Sequence, residues 1–205
     1  TQTTIATGGA GTSHTVICID SMFYGWGIVS GVGQKRFILT TNGGANWNII
    51  SVNLPGNDYA VTGLAFSSDK TTAIAGTYSN LPVISRSYDG GTNWSTLSTG
   101  LPITTSSVVR MKWVYGTNWC YLSGDTGTSG CIGKSTNGGL NWSVMNTADV
   151  NRIYHLELVH SAGNVYAYAI ARDGRIIRLQ ETLTGIHKVE NKVPAYFNLY
   201  QNYPN

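Results

Sequence analysis

Charge is the scarcest property of this chain. Of 205 residues only 11% are Asp, Glu, Lys or Arg, against about 25% in an average globular domain. Long solvated helices need faces rich in Glu, Lys and Ala, so the shortage argues against a helical protein. Thirteen basic and ten acidic residues leave a net charge of +3, with no Lys/Arg run. That excludes a nucleic-acid or polybasic membrane stripe. No apolar run approaches the length of a membrane-crossing helix. Neither an initial Met nor a signal-peptide pattern is present, which reads as a mature chain whose leader has been removed. His-x-x-x-His, Cys-x-x-Cys and Gly-x-Ser-x-Gly are missing as well, and with them the short signatures of metal, thiol-redox and serine-hydrolase chemistry. His14, His155, His160 and His187 stand apart from one another.

What the chain does hold is glycine, 25 residues, with 12 tyrosines and 6 tryptophans, the composition of many short strands joined by tight turns. One pattern occurs three times: Thr40-Thr-Asn-Gly-Gly-Ala-Asn-Trp47, Ser87-Tyr-Asp-Gly-Gly-Thr-Asn-Trp94 and Ser135-Thr-Asn-Gly-Gly-Leu-Asn-Trp142. The tryptophans recur at intervals of 47 and 48 residues, the length of a four-stranded propeller blade. In each copy Ser or Thr ends a strand and Asn42, Asp89 or Asn137 caps a turn by accepting backbone N–H bonds. Glycines including Gly44, Gly91 and Gly139 supply positive φ. Trp47, Trp94 or Trp142 opens the next strand with its ring beneath the turn.

Strands are expected around each copy. Inner strands fall at 15–20, 61–66, 108–113 and 153–158; second strands at 25–30, 72–76, 119–123 and 165–170; third strands at 36–40, 83–87, 131–135 and 174–179. Outer strands follow the tryptophans. The fold class is therefore all-β: a propeller of about four four-stranded blades over residues 1–184. The segment Thr3–Gly8 resembles Ser95–Gly100, the outer strand after the second turn, and could close the ring by pairing with the last blade; the alternatives are a fragment of a larger propeller or a ring completed by another copy.

Cys120 and Cys131 flank a Gly/Ser/Thr-rich stretch. A hairpin there would set them opposite each other, leaving open a cross-strand disulfide or two half-buried thiols. Cys18 in V-I-C-I reads as a small buried residue.

The eight-residue motif resembles the Asp box, or BNR repeat, of sialidase-like propellers. In that family the boxes lie on the rim, away from catalysis, so the resemblance implies a structural role for them. Asn42 and Asn137 stand where the family prefers Asp and can make the same cap. Tyr24-Gly-Trp-Gly-Ile-Val, followed by Phe37 to Trp47, also resembles propellers related to photosystem II assembly factors, which are protein-binding scaffolds. Residues 185–205 change character, and Val193-Pro-Ala-Tyr-Phe-Asn-Leu-Tyr-Gln-Asn-Tyr-Pro-Asn205 resembles the start of the C-terminal sorting domain of type IX secretion substrates. That resemblance implies a linker leading into a truncated sorting domain, export from a Bacteroidetes-like bacterium, and an extracellular or cell-surface location.

No sialidase signature accompanies the boxes. The seven arginines do not fall at equivalent positions in successive blades, and nothing in the sequence pairs the carboxylates as glycoside hydrolysis requires. Placing the inner strands side by side puts Val16, Gly63, Arg110 and His155 in one row and Cys18, Ala65, Lys112 and Glu157 in the next. Arg110, Lys112, His155 and Glu157 would then gather near the channel, either as a pocket for an anionic or sugar ligand or as an interblade Lys112–Glu157 pair. The expectation is a secreted, non-catalytic binding or structural protein without cofactor or metal, with a protein partner or with itself through its terminal strands. The alternative is a lectin or a sialidase-like glycoside hydrolase.

Overall fold

The computed structural model describes residues 13–20, 24–31, 34–40, 42, 45–51, 61–77, 84–97, 108–126, 129–146, 152–161 and 163–183. Among them are strands and turns and no helix. The first blade comprises β1 (Ser13–Asp20), β2 (Tyr24–Gly31), β3 (Gln34–Thr40) and β4 (Asn48–Ser51). The second comprises β5 (Val61–Phe66), β6 (Ala73–Thr77), β7 (Ile84–Ser87) and β8 (Ser95–Leu97). The third comprises β9 (Val108–Trp113), β10 (Cys120–Asp125), β11 (Gly130–Ser135) and β12 (Ser143–Asn146). The last has β13 (Ile153–Ser161), β14 (Asn164–Ala171) and β15 (Ile176–Thr182). Every blade is an antiparallel meander in sequence order. Inner strands pack against each other in the order β1, β5, β9, β13, the radial arrangement anticipated from the repeat.

Alternation along the strands gives each blade two faces, and the seams between blades are where apolar residues go. Ala65, Ile74 and Ile84 of blade 2 meet Met111, Cys120, Leu122 and Cys131 of blade 3. The other face of blade 3 sends Tyr121 and Ile132 against Ile153, Leu156, Val165, Ala167 and Ala169 of blade 4. Each fully buried Ile or Leu here contributes roughly 1.5–3 kcal/mol. At the channel the inner strands approach closely. A Cβ at Gly63 would stand 2.8 Å from Met111 Cγ and 3.2 Å from Met111 N, so only glycine fits between β5 and β9 at that point.

The three repeated turns share one cap. Ser87 donates to Asp89 Oδ1 at 2.7 Å, and Asp89 Oδ1 accepts from the backbone N–H groups of Thr92 at 3.1 Å and Asn93 at 2.9 Å. Asn42 and Asn137 accept from Asn46 N–H and Asn141 N–H, each at 2.9 Å. Gly91 and Gly139 have φ of 88° and 85°. Trp94 and Trp142 donate their indole N–H groups to the Gly91 and Gly139 carbonyls at 2.8 Å. Gly44 lies outside the described residues.

Because several turn carboxylates accept so many bonds, they resist protonation. The Asn93 backbone N–H, then the Asn93 amide and the Ser87 hydroxyl, hold Asp89 down at about 2. Asp69 is lowered by the Ser67 hydroxyl and the Thr71 N–H, and Asp173 by Arg175. A depressed carboxylate contributes its stability in full above the unfolded value and loses it as pH falls through the folded one. The urea midpoint is therefore expected to fall between pH 3.8 and about 2. Asp89→Asn keeps the cap, as Asn42 and Asn137 do, and should show a shallower fall. Equal slopes in both proteins would show that this turn is not what titrates.

Three expectations need correction. Cys120 faces Ser135 and Cys131 faces Gly124 in the β10–β11 register, so the two cysteines lie four positions apart along the hairpin. Both are free and buried, on one face of the sheet, and burial pushes both thiols up to about 12. The row drawn through blade 1 is displaced by one residue. Leu39 occupies the place of Arg86 and Lys134 before the turn, and its row runs through Trp26 to Ile17 rather than to Cys18. The third strand of the last blade starts at Ile176 rather than Gly174, because Arg172 to Arg175 form the turn, with Gly174 at φ 84°. The closing strand expected at residues 3–8 and the tail from 184 onward lie outside the described residues.

Candidate functional site

Of the four channel residues named from the sequence, three come together. Lys112 Nζ lies 2.7 Å from Glu157 Oε1, and His155 Nε2 lies 3.4 Å from the same oxygen. Arg110 stands two positions before Lys112 on β9, hence on the same face, and is half-buried. The Lys112 and Glu157 side chains keep 34% and 50% of their surface exposed. A solvent-facing pair of this kind contributes at most about 1 kcal/mol. It bridges adjacent inner strands and leaves the exposed imidazole beside it open to solvent.

Deeper in the same seam is a polar cluster not anticipated from the sequence. Lys134 on β11 pairs with Glu181 on β15, and both are mostly buried. Tyr121 donates its hydroxyl to the same Glu181 Oε2 at 3.3 Å, and Lys134 Nζ lies 3.9 Å from the centre of the Trp119 ring. Burial pushes the Tyr121 phenol up to about 12 and lowers the Lys134 ammonium. Blade 2 has Arg86 in the position of Lys134. Its guanidinium stacks 4.1 Å from the Tyr88 ring and donates to the Tyr88 hydroxyl at 2.6 Å. Laying the third strands over one another on the repeated turn would have revealed this recurring cation; laying the inner strands over one another does not. At the opposite end of the seam Arg152 Nε lies 2.9 Å from Asp125 Oδ2.

Every carboxylate whose side chain is described is committed to a turn or a cation. Asp69 and Asp89 cap turns. Asp125, Glu157, Asp173 and Glu181 face Arg152, Lys112, Arg175 and Lys134. Among the described residues no group of three or more His, Cys, Asp or Glu is placed to hold a metal ion.

One end of the blades carries exposed apolar groups. The β5–β6 and β7–β8 turns are tied by Gly90 N–H to Thr71 O at 2.9 Å, and their counterparts in blade 3 by Gly138 N–H to Asn118 O at 2.8 Å. All four turns therefore share that end. Tyr88 is 61% exposed there, Tyr115 71% and Leu140 42%. Arg86 lies beneath Tyr88, and its Nη2 would stand 3.1 Å from a Cβ at Gly138 of blade 3.

Solved structures resemble this arrangement. The structure "YCF48 bound to D1 peptide" is 22% identical over 78% of this chain and 52% of that one, with a TM-score of 0.53. The RRP9 WD40 repeats are 15% identical over 85% of this chain and 52% of that one, at 0.59. The fold is a β-propeller. The GH74 xyloglucanase from Xanthomonas campestris is 15% identical over 78% of this chain and 23% of that one, at 0.52. The propeller described here spans about half the length of the first two chains and about a quarter of the third. No family model and no curated protein matches the sequence. Among the described residues no helix is long and apolar enough to cross a membrane.

Proposed function

We propose that this propeller is a secreted, non-catalytic binding protein that holds an extended segment of another protein across the turn-bearing end of blades 2 and 3. The observation that carries the reading is the pairing of exposed Tyr88, Tyr115 and Leu140 at that end with carboxylates that are each already engaged. Glycoside hydrolysis needs two carboxylates facing one sugar, and no two described carboxylates face each other. Tyrosines give large contact area at little entropic cost, and Tyr88 is held on the buried Arg86 guanidinium. The peptide held by YCF48 supports a protein ligand, and the tail at 193–205 supports export by a type IX route.

A random peptide library selected on the full chain tests this. Selected peptides should bind at micromolar affinity and weaken roughly tenfold or more on Tyr88→Ala with Tyr115→Ala, the loss of two aromatic anchors. The alternative, a lectin or a sialidase-like hydrolase, rests on the Lys112–Glu157–His155 cluster. Hydrolysis in a glycoside screen, or sugar binding lost in Glu157→Gln and retained in the tyrosine variant, would favour it and remove the peptide reading.

A further inference from the structure

Arg86 is a buried cation without a counter-charge. It is 8% exposed, and every ion pair among the described residues goes to another cation. Its guanidinium is satisfied along one edge only. Nη1 donates to the Tyr88 hydroxyl at 2.6 Å. Nε is buried and has no acceptor, and among the described residues none accepts from Nη2. Nε–H and Nη2–H point the same way and form the fork that matches the two oxygens of one carboxylate.

The next seam shows what this position has when it is paired. Arg86, Lys134 and Arg178 occupy one place in their repeats, opposite Ile74, Tyr121 and Tyr168 and two residues after Ile84, Ile132 and Ile176. Lys134 receives the carboxylate of Glu181 from the following blade, and Glu181 stands three residues beyond Arg178. Three residues beyond Lys134 is Asn137, a neutral amide whose oxygen caps the turn. Blade 3 thus returns no charge to Arg86. Cys120 supplies none, because burial pushes its thiol up to about 12 against the pull of the Ser135 hydroxyl and of Arg86 itself. An ion left unpaired in a protein interior is costly, and an opposite charge with matching hydrogen bonds offsets that cost. There is space for one beside Nη2. A Cβ at Gly138 would stand 3.1 Å from Nη2 and 3.6 Å from Trp113 Cη2, so the glycine leaves a gap between guanidinium and indole. Tyr88 lies 4.1 Å over the guanidinium and is itself exposed, so the gap adjoins the aromatic patch.

We infer that Arg86 seats one carboxylate, carried by the segment that the turn-bearing end of blades 2 and 3 holds. The inference rests on the proposed binding function and names the charge that its ligand brings. A carboxylate suits the site better than a phosphate. One guanidinium balances one negative charge, whereas a phosphate group carries a surplus into a buried place.

Peptides selected on the full chain should each carry one carboxylate essential to binding. Converting it to the amide should weaken binding to the wild type roughly thirtyfold or more, the loss for one partner of a buried charge pair. On Arg86→Met the same conversion should change affinity by no more than about twofold, the scatter of uncoupled sites. Selected peptides that bind without a carboxylate, or an equal loss on both proteins, overturn the inference. A second arm uses small anions without peptide, with chloride of equal ionic strength as the reference. A urea midpoint raised by millimolar acetate in the wild type and not in Arg86→Met shows that a free carboxylate suffices; coupling in the peptide arm alone assigns the charge to the bound segment. A larger rise with orthophosphate than with acetate overturns the choice of carboxylate. Peptide binding without the coupling removes this seat and leaves the binding function standing. Acetate stabilisation without peptide binding does the reverse, and the absence of both effects removes both.

Discussion

Gly139→Ala is expected to destabilise the protein by roughly 2–5 kcal/mol, the sum of two separate costs. The first is conformational. Gly139 has φ of 85°, in the left-handed region that costs an L-residue roughly 1–2 kcal/mol. The second is steric. A Cβ there would stand 2.7 Å from Ile74 Cγ2, which belongs to the neighbouring blade, and 3.6 Å from the Trp142 ring. Ile74 is fully buried and has no room to withdraw, so the added methyl must part blade 2 from blade 3, an overpacking cost of about 1–3 kcal/mol. Gly163 separates the two. It has φ of 76° with nothing within 4 Å of a built Cβ, so Gly163→Ala should show the conformational cost alone. Urea melts of both variants decide the matter. Equal losses would mean that the repeated turn of blade 3 does not press on blade 2.

Tyr121→Ala should cost roughly 3–5 kcal/mol, the range for emptying a buried aromatic site. The ring is among the largest fully buried side chains and sits at the centre of the blade 3–blade 4 seam. Its removal leaves a cavity between two sheets that hydrogen bonds along their own strands hold rigid, so collapse into the space is limited. Tyr121→Phe isolates the hydroxyl. Its bond to Glu181 is long, at 3.3 Å, and that carboxylate keeps Lys134, so the loss should be about 1 kcal/mol. A Phe variant as damaged as the Ala variant would show that the polar cluster, rather than the ring's volume, holds the seam. Blade 4 is three-stranded among the described residues and is held through this seam. Protease cleavage in its β13–β14 turn is expected to rise in Tyr121→Ala before blade 2 is affected.

The turns were legible because their chemistry is local. Ser87, Asp89, Gly91 and Trp94 lie within eight consecutive residues and bond to one another, so identity and spacing sufficed to name their roles. Strand positions were legible for a related reason: alternation and the 47-residue period survive in one dimension. The Lys112–Glu157 pair followed once two inner strands were set side by side. The cysteine pairing failed because a hairpin's register depends on where its turn closes. Bonding between Thr126 and Ser129 sets Asp125 against Gly130, and Cys131 then falls opposite Gly124.

From sequence alone, a repeated turn and a repeated strand pattern determined four blades, their order and their caps, since each depends on contacts within a few residues. The tertiary structure alone decided which faces of blades 2 to 4 are covered. It set Ile84 and Ile132 under a neighbour and Ile176 in solvent, though the three residues are identical and identically placed in their repeats. The reason is physical: burial at a blade face belongs to the pair of sheets that meet there, and a single blade's sequence contains only one of them.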